Sequence, residues 1–259
     1  MKDGGESRFV LPMARRLAGK RLKDITPAEI REAARLEYPE ASNATLNRQG
    51  ITPARAVINF GHDQGWCPSI RVRSFPVEKP KRQAVDARYL DKLRPHLPHR
   101  LYVMMMFLHV TGRRVSDAIH LTADRVDIES GRVWFETTKN GEPAVTFMTP
   151  EVRDLVAEIM PEAGKVFPYA HRSSVYSTLR RGCKKAGVPY LATHQPGRHS
   201  FATMLSDAGF STKAIAEAGG WKSTRLVAEI YEHPEDVGTR AAKAIGKRLS
   251  KRLPRAKKS

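Results

Sequence analysis

The side chains best suited to chemistry are a set of basic residues followed, late in the chain, by a tyrosine. They are Arg114, Lys139, His194, Arg198 and Tyr231. Each alone has an ordinary explanation, because most tyrosines are packing residues and most arginines in a basic protein are solvated. As a set, two guanidinium groups, an ammonium, an imidazole and a phenol could hold a phosphate group and attack it.

The two arginines fit the transition state of attack on a DNA phosphodiester, a five-coordinate phosphorus with extra negative charge on its non-bridging oxygens. Arginine suits these oxygens because its planar fork donates two parallel hydrogen bonds and stays charged. Preorganised cations at developing charge are usually the largest catalytic contribution. Arg114 and Arg198 are each predicted to begin a helix after a glycine turn, so they could clamp one phosphate from separate regions. Arg113 would point away from Arg114 and is expected to contact solvent or the DNA backbone.

Lys139, Tyr231 and His194 could complete a strand-cutting reaction. The leaving 5′ oxygen needs a proton, and Lys139, expected at the tip of a hairpin, is a mobile donor. A phenol has a pKa of about 10, so Tyr231 must lose its proton to a base such as His194 or be activated by the arginines. Covalent attachment conserves the phosphodiester energy. We therefore expect no cofactor and no metal, and the sequence holds no carboxylate cluster of the metal-binding kind.

The composition favours a polyanionic partner. The 259 residues include 45 Lys and Arg against 27 Asp and Glu, which gives a formal net charge of +18. Nucleic acid, an anionic membrane and the ribosome would all attract such a charge. No apolar run reaches the roughly eighteen residues of a membrane span, the start lacks a signal-peptide core, and Cys67 and Cys183 are expected to be reduced thiols. A cytoplasmic protein without a membrane partner is expected.

Residues 1–75 are predicted to form a small helical domain whose exposed surface could contact DNA or simply be solvated. Thr26, Pro27 and Glu29 form a capping box with proline at the first helical position. The residues predicted by helical spacing to be buried are Ile30, Ala33, Ala34 and Leu36 in this helix, and Ala56, Val57 and Phe60 in a helix over 54–64. Prolines and charges predict a linker at 76–84.

Residues 85–239 are predicted to be mainly α with a small three-stranded antiparallel sheet, an α+β class. Asn140-Gly141 is a strong hairpin signal, and the run 104–108 is expected in the core because methionine fills irregular gaps. The expected strands lie near 125–128, 132–137 and 144–148, and the expected helices near 86–93, 99–110, 115–121, 149–160, 173–185, 198–207, 212–218 and between Ser223 and Tyr231.

The tail 240–259 contains nine Lys and Arg and no acid. Its apolar residues fall on one helical face and are Ala242, Ile245, Leu249 and Leu253. This pattern favours either a helix that docks its apolar stripe on protein or a solvated basic tail.

The second part resembles the catalytic domain of the tyrosine recombinases, the phage integrase family. The segment 111–121 resembles the family's first arginine box, with Arg114 as the catalytic arginine and Asp117 where an acidic residue commonly supports the helix. Lys139 stands at the hairpin lysine. The resemblance covers about 85–233 and is specific as a combination, because four motifs occur in the family order.

The other two motifs of the resemblance lie later in the chain. Arg198 and His199 stand in a segment that resembles the second arginine box. The segment from Gly219 through Trp221 to Tyr231 resembles the closing box, with Tyr231 as nucleophile. The resemblance therefore implies catalytic roles for Arg114, Lys139, Arg198 and Tyr231.

Two positions depart from the family pattern. The histidine that usually stands three residues before the second arginine is replaced by Gln195, and His194 is one residue displaced. Either the turn bulges so that His194 still reaches the site, or Gln195 takes the role by hydrogen bonding. Trp221 stands where many members have histidine, and its indole N–H can still donate to a phosphate oxygen.

The resemblance implies a two-domain, C-shaped clamp on double-stranded DNA that acts through a 3′-phosphotyrosyl intermediate and a Holliday junction. It implies a homodimer on each site, a homotetramer in synapsis and, as a further partner, an accessory DNA-bending protein. It also implies that the tail docks on a neighbouring protomer and that the protein is bacterial or phage-encoded and nucleoid-associated. Two alternatives are a type IB-like topoisomerase, which uses similar chemistry without synapsis, and a DNA-binding protein that has lost catalysis.

Overall fold

The structure is a computed structural model that describes residues 7–78, 84–136 and 141–231, with residues 238, 241–242 and 245–246 beyond them. The side chains of residues 7, 226 and 229–231 are outside the described part. The chain divides into two compact units, Met1–Lys81 and Arg82–Ser259, and each has a hydrophobic core of its own.

The described residues of the first unit form short helices and connecting segments. The helices are α1 (Ser7–Arg16), α2 (Pro27–Glu37), α3 (Asn43–Leu46) and α4 (Thr52–Asp63), with a π-helical turn at Asn47–Ile51 between the last two. The predicted capping box is confirmed at the start of α2. The Glu29 carboxylate accepts the Thr26 backbone N–H at 2.8 Å, and the Thr26 hydroxyl accepts the Glu29 N–H at 3.3 Å.

The predicted burial is correct for most of α2 and wrong for α4. Ile30, Ala33 and Ala34 are buried, whereas Leu36 is 58% exposed. The buried face of α4 consists of Ala54, Ile58 and Gly61 rather than Ala56, Val57 and Phe60. A Cβ on Gly61 would lie 2.9 Å from Leu22 and 3.3 Å from Cys67. The helix is therefore oriented by a close backbone approach that a count of apolar side chains does not register.

The segment that follows α4 is held to the first unit as far as Pro76. The Asn47 side chain accepts the Phe75 N–H at 2.7 Å and donates to the Phe75 carbonyl at 2.9 Å. Asn43 donates to the Pro76 carbonyl at 2.8 Å. The Phe75 ring is buried with the Arg31 guanidinium 4.1 Å from its centroid. The predicted linker, 76–84, starts at this held residue, and its residues 79–83 lie outside the described ranges.

The second unit carries the remaining helices. They are α5 (Ala87–Leu93), α6 (His99–Thr111), α7 (Val115–Ile119), α8 (Pro150–Ile159), α9 (Arg172–Lys185), α10 (Ser200–Asp207), α11 (Thr212–Gly219) and α12 (Thr224–Tyr231). The Asp86 carboxylate caps α5 by accepting the Tyr89 N–H at 3.3 Å. α6 is buried on all sides, and Met104 and Met105 are fully covered, so the prediction of a core methionine run is confirmed. No helix in the described ranges has the length and apolar composition needed to cross a bilayer.

The predicted three-stranded antiparallel sheet is confirmed. Its strands are β1 (Val126–Asp127), β2 (Arg132–Phe135) and β3 (Ala144–Phe147), in the order β1-β2-β3. In the hairpin of β2 and β3, Trp134 pairs with Val145 and Phe135 pairs with Ala144. The mainly α class with a small sheet is thus correct. Lys139 and its neighbours 137–140, in the connection between these strands, lie outside the described residues, as does most of the tail 240–259.

Candidate active site

Arg114 stands at the start of α7, directly after a left-handed turn. Gly112 closes α6 with a φ of 63°, a conformation that glycine adopts without a Cβ penalty. A Cβ at this position would collide with the ring of Phe201. The Asp117 carboxylate accepts the Arg114 backbone N–H at 3.2 Å, which fixes the first turn of α7. The half-buried Arg114 side chain therefore projects from a fixed backbone.

Arg198 lies in a wide helical turn, so the helix start predicted at this residue is wrong. Gln195–His199 form a π-helical turn and α10 begins at Ser200. The His199 N–H donates to the His194 carbonyl at 2.9 Å, across five residues. A π turn of this kind accommodates one residue more than an α-helical turn. The bulge at Pro196-Gly197 that the sequence left open is therefore present.

The π-helical turn packs closely on α6. His109 of α6 is buried, and its Nδ1 donates to the Pro196 carbonyl at 2.5 Å. A Cβ on Gly197 would lie 3.2 Å from the Leu108 Cβ. On its other side, the Ser200 hydroxyl donates to the Gln195 carbonyl at 2.9 Å. These contacts fix the backbone from which Arg198 projects.

The Arg198 guanidinium joins three of the sequence motifs. The residue is 3% exposed. Its Nη1 donates to the carbonyls of Gly112 at 3.0 Å and Gly219 at 2.6 Å, and its Nη2 donates to Gly220 at 3.2 Å. The first arginine motif, the second arginine motif and the start of the last motif therefore meet at one side chain.

Trp221 lies directly against this guanidinium. The Arg198 Cζ is 3.6 Å from the centroid of the indole ring, within the range of a cation–π contact. Ten positions later in the chain, Tyr231 is the last residue of α12, but its side chain is outside the described part. The structure thus places Arg198 and Trp221 together and gives no position for the Tyr231 phenol or for Lys139.

The two candidates for the histidine role occupy different environments. His194 is exposed and stands immediately before the π-helical turn, whereas Gln195 is half-buried within it. His199, which follows Arg198, is buried at 3% exposure. His199 is therefore placed in the interior, and either of the other two could reach solvent from the turn.

The prediction for Arg113 is wrong. This residue is 3% exposed, and its Nη2 donates to the carbonyl of Val145 in β3 at 2.7 Å. Burial lowers the pKa of Arg113, and the neighbouring Arg114 charge lowers it further. The Asp117 carboxylate acts in the opposite direction. Local sequence contains no signal for this burial, because an arginine beside another arginine in a basic chain has the same sequence pattern whether it is exposed or buried.

A fixed, largely desolvated cation beside a half-buried one is suited to binding an oxyanion. Arg198 is held by three carbonyls and an aromatic face, and Arg114 leaves the helix start two residues beyond one of those carbonyls. Fixed guanidinium groups in a site with little water bind phosphate strongly, because little reorganisation is needed.

Beyond the fold and the arrangement of the arginines, comparison with known proteins identifies the family. Residues 86–237, more than half of the chain, match the model of the phage integrase family. The chain belongs to this family, so the resemblance to tyrosine recombinases is confirmed.

Curated tyrosine recombinases are similar to this chain at low sequence identity. The chain is 26% identical over 152 residues to the tyrosine recombinase XerA of Saccharolobus solfataricus. This match covers 56% of the chain and 50% of XerA. It is 26% identical over 149 residues to the tyrosine recombinase XerD of Staphylococcus aureus, over 52% of this chain and 50% of that protein. The chain thus spans about half the length of the curated relatives it matches.

Solved structures share the fold. The integrase of transposon Tn1549, in complex with transposon right end DNA, superposes with a TM-score of 0.70 at 18% identity, over 94% of this chain and 92% of that chain. A lambda integrase dimer bound to a COC′ core site gives a TM-score of 0.70 at 17% identity, over 88% and 87%.

Proposed function

We propose that this protein is a site-specific DNA recombinase that cuts and rejoins DNA strands through a covalent 3′-phosphotyrosine at Tyr231. The observation that supports this best is the position of Arg198, which binds the carbonyls of Gly112, Gly219 and Gly220 and stacks on Trp221. Motifs that are far apart in the sequence are thereby assembled around one cation. Membership of the phage integrase family supports the same function.

In the proposed reaction the Tyr231 oxygen attacks a backbone phosphorus in line with the 5′ oxygen. The bond from the tyrosine oxygen to phosphorus forms as the bond from phosphorus to the 5′ oxygen breaks, and the phenolic proton passes to a base. Lys139 gives a proton to the departing 5′ oxygen. Arg114 and Arg198 hold the two non-bridging oxygens and stabilise the added negative charge. A 5′-hydroxyl from another strand reverses these steps and releases the tyrosine.

The remaining site residues assist the phosphate. His194 or Gln195 donates a hydrogen bond or accepts the nucleophile's proton, and Trp221 donates its indole N–H to a phosphate oxygen while it orients Arg198. Asp117 holds the start of α7 for Arg114. His199 supports the turn from the interior.

The proposed substrate and partner is double-stranded DNA. The net charge of +18 gives long-range attraction to a polyanion, and the structural relatives include integrases bound to DNA. We further propose a homodimer on each site and a homotetramer in synapsis, with the helical first unit contacting the DNA. Binding should weaken steeply with salt, because each neutralised phosphate releases counterions.

A suicide substrate tests the covalent step. A pool of nicked duplexes with randomised core sequence is incubated with the protein, so that cleavage beside the nick loses a short fragment and traps the adduct. Complexes that survive SDS are isolated, the DNA is sequenced and the attached residue is mapped by mass spectrometry. We expect adducts on Tyr231 that share a core sequence, and Tyr231→Phe should bind the same DNA without forming any adduct.

Other outcomes distinguish the alternatives. Adducts without sequence preference, together with relaxation of any supercoiled plasmid, would indicate a topoisomerase-like enzyme. DNA binding without adducts on any duplex would indicate a binding protein that has lost catalysis. An adduct on a different residue would overturn the assignment of Tyr231.

A further inference from the structure

Arg113 is a buried cation that the proposed chemistry does not use. It is 3% exposed, and within the described ranges it has no salt bridge to a carboxylate. The Asp117 carboxylate raises the pKa of Arg113 without forming a direct salt bridge to it, and a buried arginine without a direct ion pair is costly. The contacts of its guanidinium must offset that cost, and they connect two parts of the second unit.

The first part is the β2–β3 hairpin. Arg113 Nη2 donates to the Val145 carbonyl in β3 at 2.7 Å, and Arg113 Cζ lies 5.4 Å from the ring centroid of Phe135 in β2. Phe135 pairs with Ala144, next to the connection that contains Lys139. Arg113 thus contacts both strands at the end from which that connection departs.

The second part is the carboxyl end of α11, where the closing turn satisfies two carbonyls. The Trp221 N–H donates to the Ala216 carbonyl at 2.8 Å, and the Gly220 N–H donates to the Glu217 carbonyl at 3.1 Å. These two backbone hydrogen bonds, together with the left-handed conformation of Gly220 (φ 64°), form a common C-terminal cap of an α-helix.

The next three carbonyls each accept from an arginine. Arg113 donates to Ala218 at 3.5 Å, and Arg198 donates to Gly219 and Gly220 at 2.6 and 3.2 Å. Cations are favoured at this end of a helix, where the dipole is negative. A Cβ on Gly220 would lie 2.9 Å from Arg113 Nη1, so the glycine leaves room for the guanidinium.

We infer that Arg113 is a positioning residue that holds strands β2 and β3 against the end of α11. In the proposed reaction this contact supports proton donation by Lys139, which the sequence places in the connection between the two strands. The inference rests on the proposed function. Arg113 itself does not touch the DNA in this role. It acts through the hairpin, because Arg198 already holds the neighbouring carbonyls of α11 and the shorter Arg113 bond is the one to β3.

The test is a comparison of leaving groups. Arg113→Met removes the donors and keeps an unbranched apolar side chain, and its single-turnover cleavage is measured on the selected suicide substrate at saturating DNA. A second substrate has sulfur in place of the bridging 5′ oxygen. On this substrate the tyrosine–phosphorus bond forms, the phosphorus–sulfur bond breaks and a thiolate leaves without a proton, since thiols ionise near a pKa of about 8.5.

On the oxygen substrate, Arg113→Met should cleave about tenfold or more slowly, because the general acid is misplaced. On the sulfur substrate its rate should return to within about threefold of wild type, as the rate of Lys139→Ala should. The double variant Arg113→Met/Lys139→Ala should cleave the oxygen substrate at nearly the same rate as Lys139→Ala alone. Arg100→Met is the matched control, because Arg100 also donates to two backbone carbonyls of this unit, those of Ile159 and Val166. It should cleave both substrates like wild type.

Arg113→Lys keeps the charge without the planar fork and provides the test if the methionine variant does not fold. It should show a smaller defect that the sulfur substrate also removes. The inference is overturned if either folded variant cleaves the oxygen substrate at the wild-type rate, or if its rate falls equally on both substrates. Either result leaves the proposed function intact. If the wild-type protein forms no adduct with any substrate, the proposed function fails and the inference fails with it.

Discussion

The Arg198 guanidinium lies against the Trp221 indole, with its Cζ 3.6 Å from the ring centroid. The same guanidinium binds carbonyls of Gly112, Gly219 and Gly220. In the proposed reaction this one residue supplies charge at the phosphate, and its hydrogen bonds also stabilise the local structure. Substitutions around it should separate the two effects.

Trp221→Ala should slow covalent complex formation. Loss of a partly desolvated cation–π contact is worth about 0.5–2 kcal/mol, which corresponds to roughly two- to thirtyfold in rate. Trp221→Phe retains an aromatic face but loses the indole N–H, so it separates stacking from hydrogen bonding. A phenylalanine variant as slow as the alanine variant would show that the N–H, and not the stack, provides the benefit. Single-turnover cleavage of the suicide substrate measures both variants.

Arg114→Ala and Arg198→Ala should be equally poor in cleavage but differ in stability. In the proposed reaction each substitution removes a charge that binds the phosphate, so each should slow cleavage by about 10²–10³-fold. Arg198→Ala also leaves three carbonyls without their donor and should destabilise the second unit by about 3 kcal/mol. Among the described residues the Arg114 guanidinium makes no hydrogen bond or ion pair, so Arg114→Ala should change stability by at most about 0.5 kcal/mol.

Denaturant unfolding followed by tryptophan fluorescence measures this difference, with Arg181→Ala as an exposed arginine control in the same unit. Equal stability losses for Arg114→Ala and Arg198→Ala would contradict the structural role given to Arg198.

His194→Ala should slow cleavage more than Gln195→Ala. The His194 carbonyl accepts the His199 N–H across the π-helical turn Gln195–His199. The turn holds one residue more than an α-helical turn. His194, four positions before Arg198, is therefore expected on the side of the helix that the residue three positions before Arg198 takes in an α-helix. We expect about a tenfold loss for His194→Ala, the size of one weakened hydrogen bond to a charged group, and less than about threefold for Gln195→Ala. The reverse order would assign the role to Gln195. The single-turnover assay on the suicide substrate decides between them.

The Glu29 carboxylate should lend pH-dependent stability to the first unit. An ion pair with Lys20 and hydrogen bonds from Thr26 lower the pKa of Glu29 from 4.5 to about 2. The pKa of Glu29 is lower in the folded than in the unfolded state. Its carboxylate therefore stabilises the folded first unit fully above about pH 4.5, and this stabilisation is lost as the pH falls through about 2. A carboxyl carbon titration by NMR in the full chain should show the low midpoint.

Lys20→Gln should raise the Glu29 midpoint, because the ion pair is the largest cause of the shift. Added salt should act in the same direction, since both groups are partly exposed. A Glu29 midpoint that stays near 4.5 in the wild-type protein would contradict the capping-box geometry.

The sequence predicted the features that depend on neighbouring residues. The capping box at Thr26 and Glu29, the helix start at Asp86 and the hairpin of β2 and β3 follow from side chains within a few positions of each other. Caps and turns are local structures, because most of the interactions that stabilise them are made by residues a few positions apart in the sequence. The order of the motifs likewise indicated the family.

The sequence failed where two distant segments touch. Phe60 of α4 fits an apolar face yet is 58% exposed, because Gly61 makes the closer approach. The predicted helix start at Arg198 missed the π-helical turn, whose backbone is set by His109 and Leu108 of α6. Neither contact has a counterpart in local spacing.

By itself, then, the sequence determined the basic charge, the helical class, the small sheet and the residues that could do chemistry. Only the tertiary structure decided that Arg113 is buried and that Arg198 joins three motifs. Arg113 meets carbonyls 32 and 105 positions away in the chain. The burial of a charge depends on which distant groups surround it, and that is fixed only when the whole unit has folded.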